Sequence, residues 1–217
     1  MTDALRRVSV VDELADVLRA QILDGTIEPG TALREQELSD RYGVSRHTLR
    51  ASLRALAAEG IVRLEPNRGA HVPVLDRVAL TDLFELRTAL ELEAANLALE
   101  RHGGALPATV HDALATLVAR CEARSPRWHD VAHAHEGFHN ALVAASESAR
   151  IVRAYGRLAG ELRLFLVQLR PTWPLARMAP HHVELVKRLD AGELQALRAH
   201  LADGLDAVAG AGAQASG

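Results

Sequence analysis

Apolar residues at Val10, Val11, Leu14, Val17, Leu18 and Ile22 recur at the spacing of one helix face, with Ser9 and Asp12 placed as a capping pair and Gly25 as a stop. After the turn-forming stretch Gly25–Gly30, Leu33, Leu38 and Tyr42 mark a short second helix closed by Gly43. A third follows at once, with Ser45 as its N-cap, Leu49, Leu53 and Leu56 as its buried stripe, and Gly60 at its end. Alternation then replaces the helical period. Residues 61–65 read as a strand, Pro66-Asn67-Arg68-Gly69 as a turn, and 70–74 as the returning strand. Beyond Asp76 the helical period resumes, predicting helices over 77–101, 107–122, 128–145, 149–169, 180–189 and 193–209. Gly103-Gly104, Ser125-Pro126, the stretch 170–174 and Ala191-Gly192 break them, as connections in a helical bundle would.

The expected fold class is therefore mainly α: an N-terminal winged helix-turn-helix module over 1–75, an all-helical bundle over 76–209, and a disordered tail over 210–217. Composition agrees, since only seven of the 217 residues are aromatic while Leu, Ala and Val abound. No apolar run reaches the roughly 18 residues of a membrane span, and the first residues lack the apolar core of a secretory signal, so a cytoplasmic protein is expected. Cys121, the single cysteine, can form no internal disulfide and reads as a packing residue.

Charge changes the picture locally. The chain carries a net −3, yet 41–71 holds six arginines against only Glu59 and Glu65, which points to a partner with phosphates. On the third helix Arg46, His47, Arg50 and Arg54 lie on a face turned away from the leucine stripe, suited to the major groove of double-stranded DNA. Arginine there can bridge guanine edges or phosphates, and the wing tip, with Arg68 and Gly69, would follow the backbone or the minor groove. The bland alternative is a solvated basic face on an interaction domain.

The run Gly30-Thr31-Ala32-Leu33-Arg34-Glu35-Gln36-Glu37-Leu38-Ser39-Asp40-Arg41-Tyr42-Gly43-Val44-Ser45-Arg46-His47-Thr48-Leu49-Arg50, with Gly60-Ile61-Val62 and Asn67-Arg68-Gly69-Ala70-His71-Val72 after it, closely resembles the GntR family of bacterial transcription regulators. The resemblance covers most of 10–74 and implies operator contacts by Ser45, Arg46, His47, Thr48, Arg50 and Gly69. Two positions depart from it: Gln36 replaces a usual phosphate-binding arginine, and Ala51 a frequent glutamate.

In the helical part, Arg87 and Glu91 interrupt the stripe Leu80, Leu83, Phe84, Leu90, Ala94 and Ala98. They are either an internal i, i+4 ion pair or, for Arg87, a receptor for the carboxylate of a small effector. Nine of the eleven histidines lie in this part, and His135, His139 and His182 share stripes with apolar residues. Two histidines at i, i+4 plus a third from another helix can grip one metal ion; hydrogen-bonded core histidine is the alternative. His135-Glu136-Gly137-Phe138-His139 also matches the HExxH motif of zinc hydrolases, but the downstream signatures of the common subclasses are absent.

Three landmarks resemble the FCD ligand-binding domain of the FadR subfamily of GntR regulators: Arg87-Thr88-Ala89-Leu90-Glu91 its RxxLE motif, Phe138-His139 its DxxFH segment, and His182 through Gly192-Glu193 its EHxxI…GD segment. The resemblance implies a divalent metal held by one Asp and three His beside a small organic acid, with His139 and His182 as matching ligands. His135 occupies the aspartate position, and the final histidine position falls on Gly204; His200, one turn earlier, lies on the flank of the last helix's leucine stripe and could substitute only with adjustment. Without the carboxylate, the donors His135, His139 and His182 favour zinc, nickel or copper. The expected function is a homodimeric, nucleoid-associated transcription regulator, more often a repressor, whose operator binding answers to a small carboxylate metabolite. The rivals are a zinc hydrolase using the HEGFH segment and a DNA-binding protein without an effector.

Overall fold

The structure, a computed structural model, describes residues 9–65 and 69–214, with side chains described through 208. The chain divides into two compact units, one ending at Val74 and the other beginning at Leu75.

In the first unit, helices α1 (Val10–Leu23), α2 (Glu35–Tyr42) and α3 (Arg46–Ala58) bury Leu14, Leu18, Ile22, Leu38, Leu49, Leu53 and Leu56 against one another. Polar side chains fix their registry: Ser52 Oγ donates to the Val11 carbonyl at 2.7 Å, Tyr42 Oη to Gln21 at 2.9 Å, and Arg19 pairs with Glu59 at 2.6 Å. Gly43, at φ 63°, occupies the left-handed region that lets α2 stop and α3 start three residues later at Arg46, a conformation costly for other residues. Two strands form the wing, β2 (Arg63–Glu65) and β3 (Gly69–His71), with Glu65 opposite Gly69. The sequence reading gave Leu33 to the second helix. Instead Ala32–Leu33 form a strand, β1, pairing with β3 in a three-stranded sheet of order β1-β3-β2; Leu33 is buried by that pairing while the helix starts at Glu35.

The second unit contains, among the described residues, α4 (Arg77–Arg101), α5 (Ala108–Cys121), α6 (Trp128–Ala144), α7 (Ala149–Gly156), α8 (Ala159–Leu169), α9 (Leu175–Asp190) and α10 (Gln195–Gln214). Asp76 caps α4 by accepting the Ala79 amide at 2.9 Å, and α4 packs against α6, α7 and α10. Gln168 of α8 holds both main-chain groups of Leu75, accepting its amide at 2.9 Å and donating to its carbonyl at 3.0 Å. Cys121 is half-buried at the end of α5.

Three expectations are corrected. The single helix over 149–169 is two, because the Arg157 and Leu158 amides turn back to Ala154 and Tyr155 and redirect the chain. Pro180 does not start its helix. It lies inside α9, which begins at Leu175 and tolerates the missing donor because Met178, Ala179, His182 and Leu185 are buried along one face. Finally, α10 continues to Gln214, so the backbone over 210–214 is helical where a disordered tail was expected; 215–217 lie outside the described residues.

Candidate functional site

Two groups of residues carry chemistry. On α3, Ser45 caps the helix by accepting the Thr48 amide at 3.1 Å, which leaves the first-turn amides of Arg46 and His47 facing outward at the positive end of the helix dipole. Arg46, His47 and Arg50 are exposed and Thr48 half-buried. Neither arginine is loose: Arg50 Nε meets both oxygens of Glu35, at 2.9 and 2.8 Å, and Arg46 is hydrogen-bonded to Gln36. Gln36, where the resembled family usually has arginine, also donates to Asp40 at 2.8 Å, so it steadies Arg46 from α2. Such exposed pairs are worth about 0–1 kcal/mol, so exchanging them for a guanine edge or a phosphate costs little. Gly69 opens β3 at φ 77°, with open space where a side chain would begin. Arg68 lies outside the described residues.

The second group is the core of the helical unit. Glu91 on α4 is fully buried and accepts three hydrogen bonds: from Arg87 Nε at 2.6 Å, Tyr155 Oη at 2.8 Å and His139 Nδ1 at 2.8 Å. Burial pushes its carboxyl up, but Arg87 and His139 outweigh burial and hold it at about 2. The expected i, i+4 pair is therefore present, and Arg87 also lines two tight cavities, each with about 20 Å³ of free room, the one wider in outline bordered by Arg163 and the smaller by Trp173.

His135 and His139 of α6 and His182 of α9 converge, with ring centroids 4.6 to 5.5 Å apart and lone-pair nitrogens within 4.8 Å of one another. Burial pushes His135 and His182 well below the usual imidazole value and lowers His139, helped by mutual repulsion of the rings, so all three are neutral near pH 7. His139 gives its Nδ1 proton to Glu91 and His182 gives its own to the Met178 carbonyl at 2.8 Å, leaving both Nε2 lone pairs buried without a partner. A carboxylate or carbonyl behind the ring and an unsatisfied nitrogen in front is how proteins orient histidine toward a metal. The donor set fits a cation with an imidazole preference, such as zinc, nickel or copper.

The placement of His200 corrects the sequence reading. Gly204 does face the smaller cavity, where an added Cβ would sit 3.6 Å from Phe165, but it offers no donor. His200, expected on the flank of α10, is buried with its ring 4.5 Å from that of His182 and 5.6 Å from that of His139. Sequence reasoning also missed Tyr155, His181 and Asp203. The larger cavity is lined by Arg87, His135, His139, Tyr155, Phe165 and Arg163, and at its wall Glu136 is tied to Arg163 with both oxygens 3.0 Å from Nε. Glu136 is thus committed to an arginine, unlike the water-activating base of an HExxH hydrolase.

Comparison with known proteins follows the same division. The description "Bacterial regulatory proteins, gntR family" matches residues 10–72, and "FCD domain" matches 82–207, more than half of the chain. The chain is 29% identical over 209 residues to a protein of Paenarthrobacter nicotinovorans described as "Probable D-xylose utilization operon transcriptional repressor", covering 94% of this chain and 91% of that one. It is 30% identical over 144 residues to the HTH-type transcriptional repressor GlaR of Escherichia coli, covering 65% of each. A solved GntR regulator from Rhodococcus sp. RHA1 superposes with a TM-score of 0.71 at 28% identity, over 93% of this chain and 98% of that one.

Proposed function

The chain belongs to the gntR family of bacterial regulatory proteins, in the FadR-like branch that carries an FCD domain, and from this premise we propose that it is a repressor whose grip on operator DNA is set by a small carboxylate metabolite. That it is a DNA-binding transcription regulator follows from the family. The finer reading is ours. The observation that carries it is the buried histidine cluster with orphaned Nε2 atoms beside an arginine-lined cavity in the unit attached to the DNA-reading module.

On the DNA side, Ser45, Arg46, His47, Thr48, Arg50, Gly69 and Arg68 form the contact set. The α3 arginines release Glu35 and Gln36 and take guanine edges or phosphates. One such helix covers a half-site, so a two-fold homodimer on an inverted repeat supplies usable specificity. On the sensing side, His135, His139 and His182 would hold a divalent metal, which when bound supplies positive charge to an acid's carboxylate. Arg87 adds a buried cation at the wall of both cavities, and Phe165 and Leu166 give the larger an apolar wall. The acid acts only in so far as it binds the DNA-competent and incompetent forms unequally. A non-enzymatic role agrees with the engagement of Glu136 by Arg163. Cytoplasmic placement beside the nucleoid follows from the role, and no helix among the described residues is long and apolar enough to cross a membrane.

Arg46→Ala with Arg50→Ala is expected to weaken operator binding by about 30-fold or more at fixed salt, since each guanine contact is worth about 1–3 kcal/mol. A gel-shift titration reads this directly. Unchanged affinity would remove α3 from the operator interface.

A further inference from the structure

We propose that the histidine cluster holds one cation in either of two overlapping positions, an inner one of His135, His139 and His182 and an outer one of His181, His182 and His200, with His181, fixed by Asp203, as the donor that creates the outer position. The inference rests on the reading that the cluster takes a cation at all. It adds a ligand that the motifs do not supply, since His181 stands where the EHxxI pattern has glutamate.

His181 Nε2 lies 3.0 Å from Asp203 Oδ2, so it donates there and leaves the lone pair on Nδ1; that Nδ1 is buried without a hydrogen-bond partner. This repeats the arrangement of His139 on Glu91 and His182 on Met178. Asp203 is itself steadied by Arg177, 3.9 Å away. His200 also has a buried, unpartnered Nδ1 and is all but fully buried. The ligand nitrogens of His181, His182 and His200 lie within 4.8 Å of one another, as those of the inner set do. A cavity of about 210 Å³ touches His181, His200 and Asp203 but neither His135 nor His139, which gives the outer position its own approach.

The two positions exclude each other. His182 has committed Nδ1 to a main-chain carbonyl and has a single lone pair to give, so one ion per chain occupies one seat at a time. The seats join different helices: the inner one ties α6 to α9, the outer one α9 to α10. Filling the outer seat also has a structural signature. His181 and His200 are stacked at 4.2 Å, only 21° from parallel, and nearly parallel rings cannot both aim a lone pair at one ion. The His200 ring therefore turns on coordination.

The test is a cobalt(II) titration of the chelator-stripped full-length chain, followed by visible absorption, with circular dichroism and thermal unfolding as folding checks. Wild type, His135→Ala, His181→Ala and the double variant form a cycle; neither single substitution touches the shared His182. Glutamine at both positions repeats the cycle with side-chain volume kept. The wild type is expected to take one ion per chain. Each single variant keeps one ion, with affinity reduced by about tenfold or less and a changed visible spectrum, whereas the double variant loses about a hundredfold or more. Asp203→Asn is expected to weaken cobalt binding by about tenfold or more in the His135→Ala background and to leave it unchanged in the His181→Ala background. A double variant that binds as His135→Ala does would overturn the role of His181, and two ions per wild-type chain would overturn the shared seat. A wild type that takes up no cobalt sinks the cation reading itself, and this inference with it.

Discussion

Glu91→Ala is expected to destabilise the helical unit by about 3–5 kcal/mol, read as a lowered urea midpoint for the metal-free protein near neutral pH. The carboxylate accepts hydrogen bonds from three buried donors: Arg87 Nε, Tyr155 Oη and His139 Nδ1. Removing it strands a buried guanidinium and leaves two further donors unsatisfied, each of which alone costs about 1–3 kcal/mol. The costs share one site and do not add. Acid titration gives an independent check of scale. The carboxyl is held at about 2, against its ordinary 4.5, so its contribution is fully present above pH 4.5 and is lost as the pH falls toward 2. That shift corresponds to about 3 kcal/mol, the same order as the mutational estimate. Replacing both ions, Arg87→Met with Glu91→Leu, is expected to cost less than Glu91→Ala alone, because no charge is then left unpaired. A loss below about 1 kcal/mol in Glu91→Ala would mean that Arg87 does not depend on Glu91.

The second large effect is a loss of stability on mild acidification, well before any carboxylate titrates. His135, His182 and His200 are pushed well below 6.5 by burial, and His139 is lowered for the same reason despite the pull of Glu91. In the unfolded chain these groups take up protons near 6.5, so below that pH the unfolded state binds more protons and folding weakens as the pH falls. Above 6.5 the contribution is complete and flat. Each histidine that charges only on unfolding contributes up to about 1.4 kcal/mol per pH unit, so His135, His182 and His200 together remove several kcal/mol between pH 7.5 and 5.5. Chemical denaturation of the metal-free protein at the two pH values measures it, and His135→Ala should flatten the dependence. Equal midpoints at pH 7.5 and 5.5 would show that the cluster already carries protons in the folded state.

Much of the DNA-reading unit was legible because its signals are local. Ser45 caps α3, Gly43 stops α2, and Leu49, Leu53 and Leu56 repeat at helical spacing, all within a few residues. Strand β1 was not legible: two residues carry no period, and their pairing with β3 joins positions far apart in the chain. The Arg87–Glu91 pair could be read from its i, i+4 spacing, while its other partners could not, since Tyr155 and His139 lie 64 and 48 residues from Glu91. His135 and His139 were visible as a helical pair. His200 was misjudged because whether it or Gly204 faces His182 depends on the turn between α9 and α10, which no periodicity within α10 reports. At Pro180 a strong local signal misled, and packing of the α9 face overrode it.

Gln168 has a consequence for following the protein in solution. Its amide holds both the N–H and the C=O of Leu75, the residue at which the helical unit begins, and it sits on the helix that contributes Arg163, Phe165 and Leu166 to the larger cavity. The Leu75 amide proton is thus a built-in gauge of α8. Its exchange with solvent deuterium is slow while α8 keeps its place and accelerates when α8 shifts or frays, so one resonance, recorded with and without a candidate acid, reads out cavity occupancy beside the chain segment that leads to the DNA-reading unit.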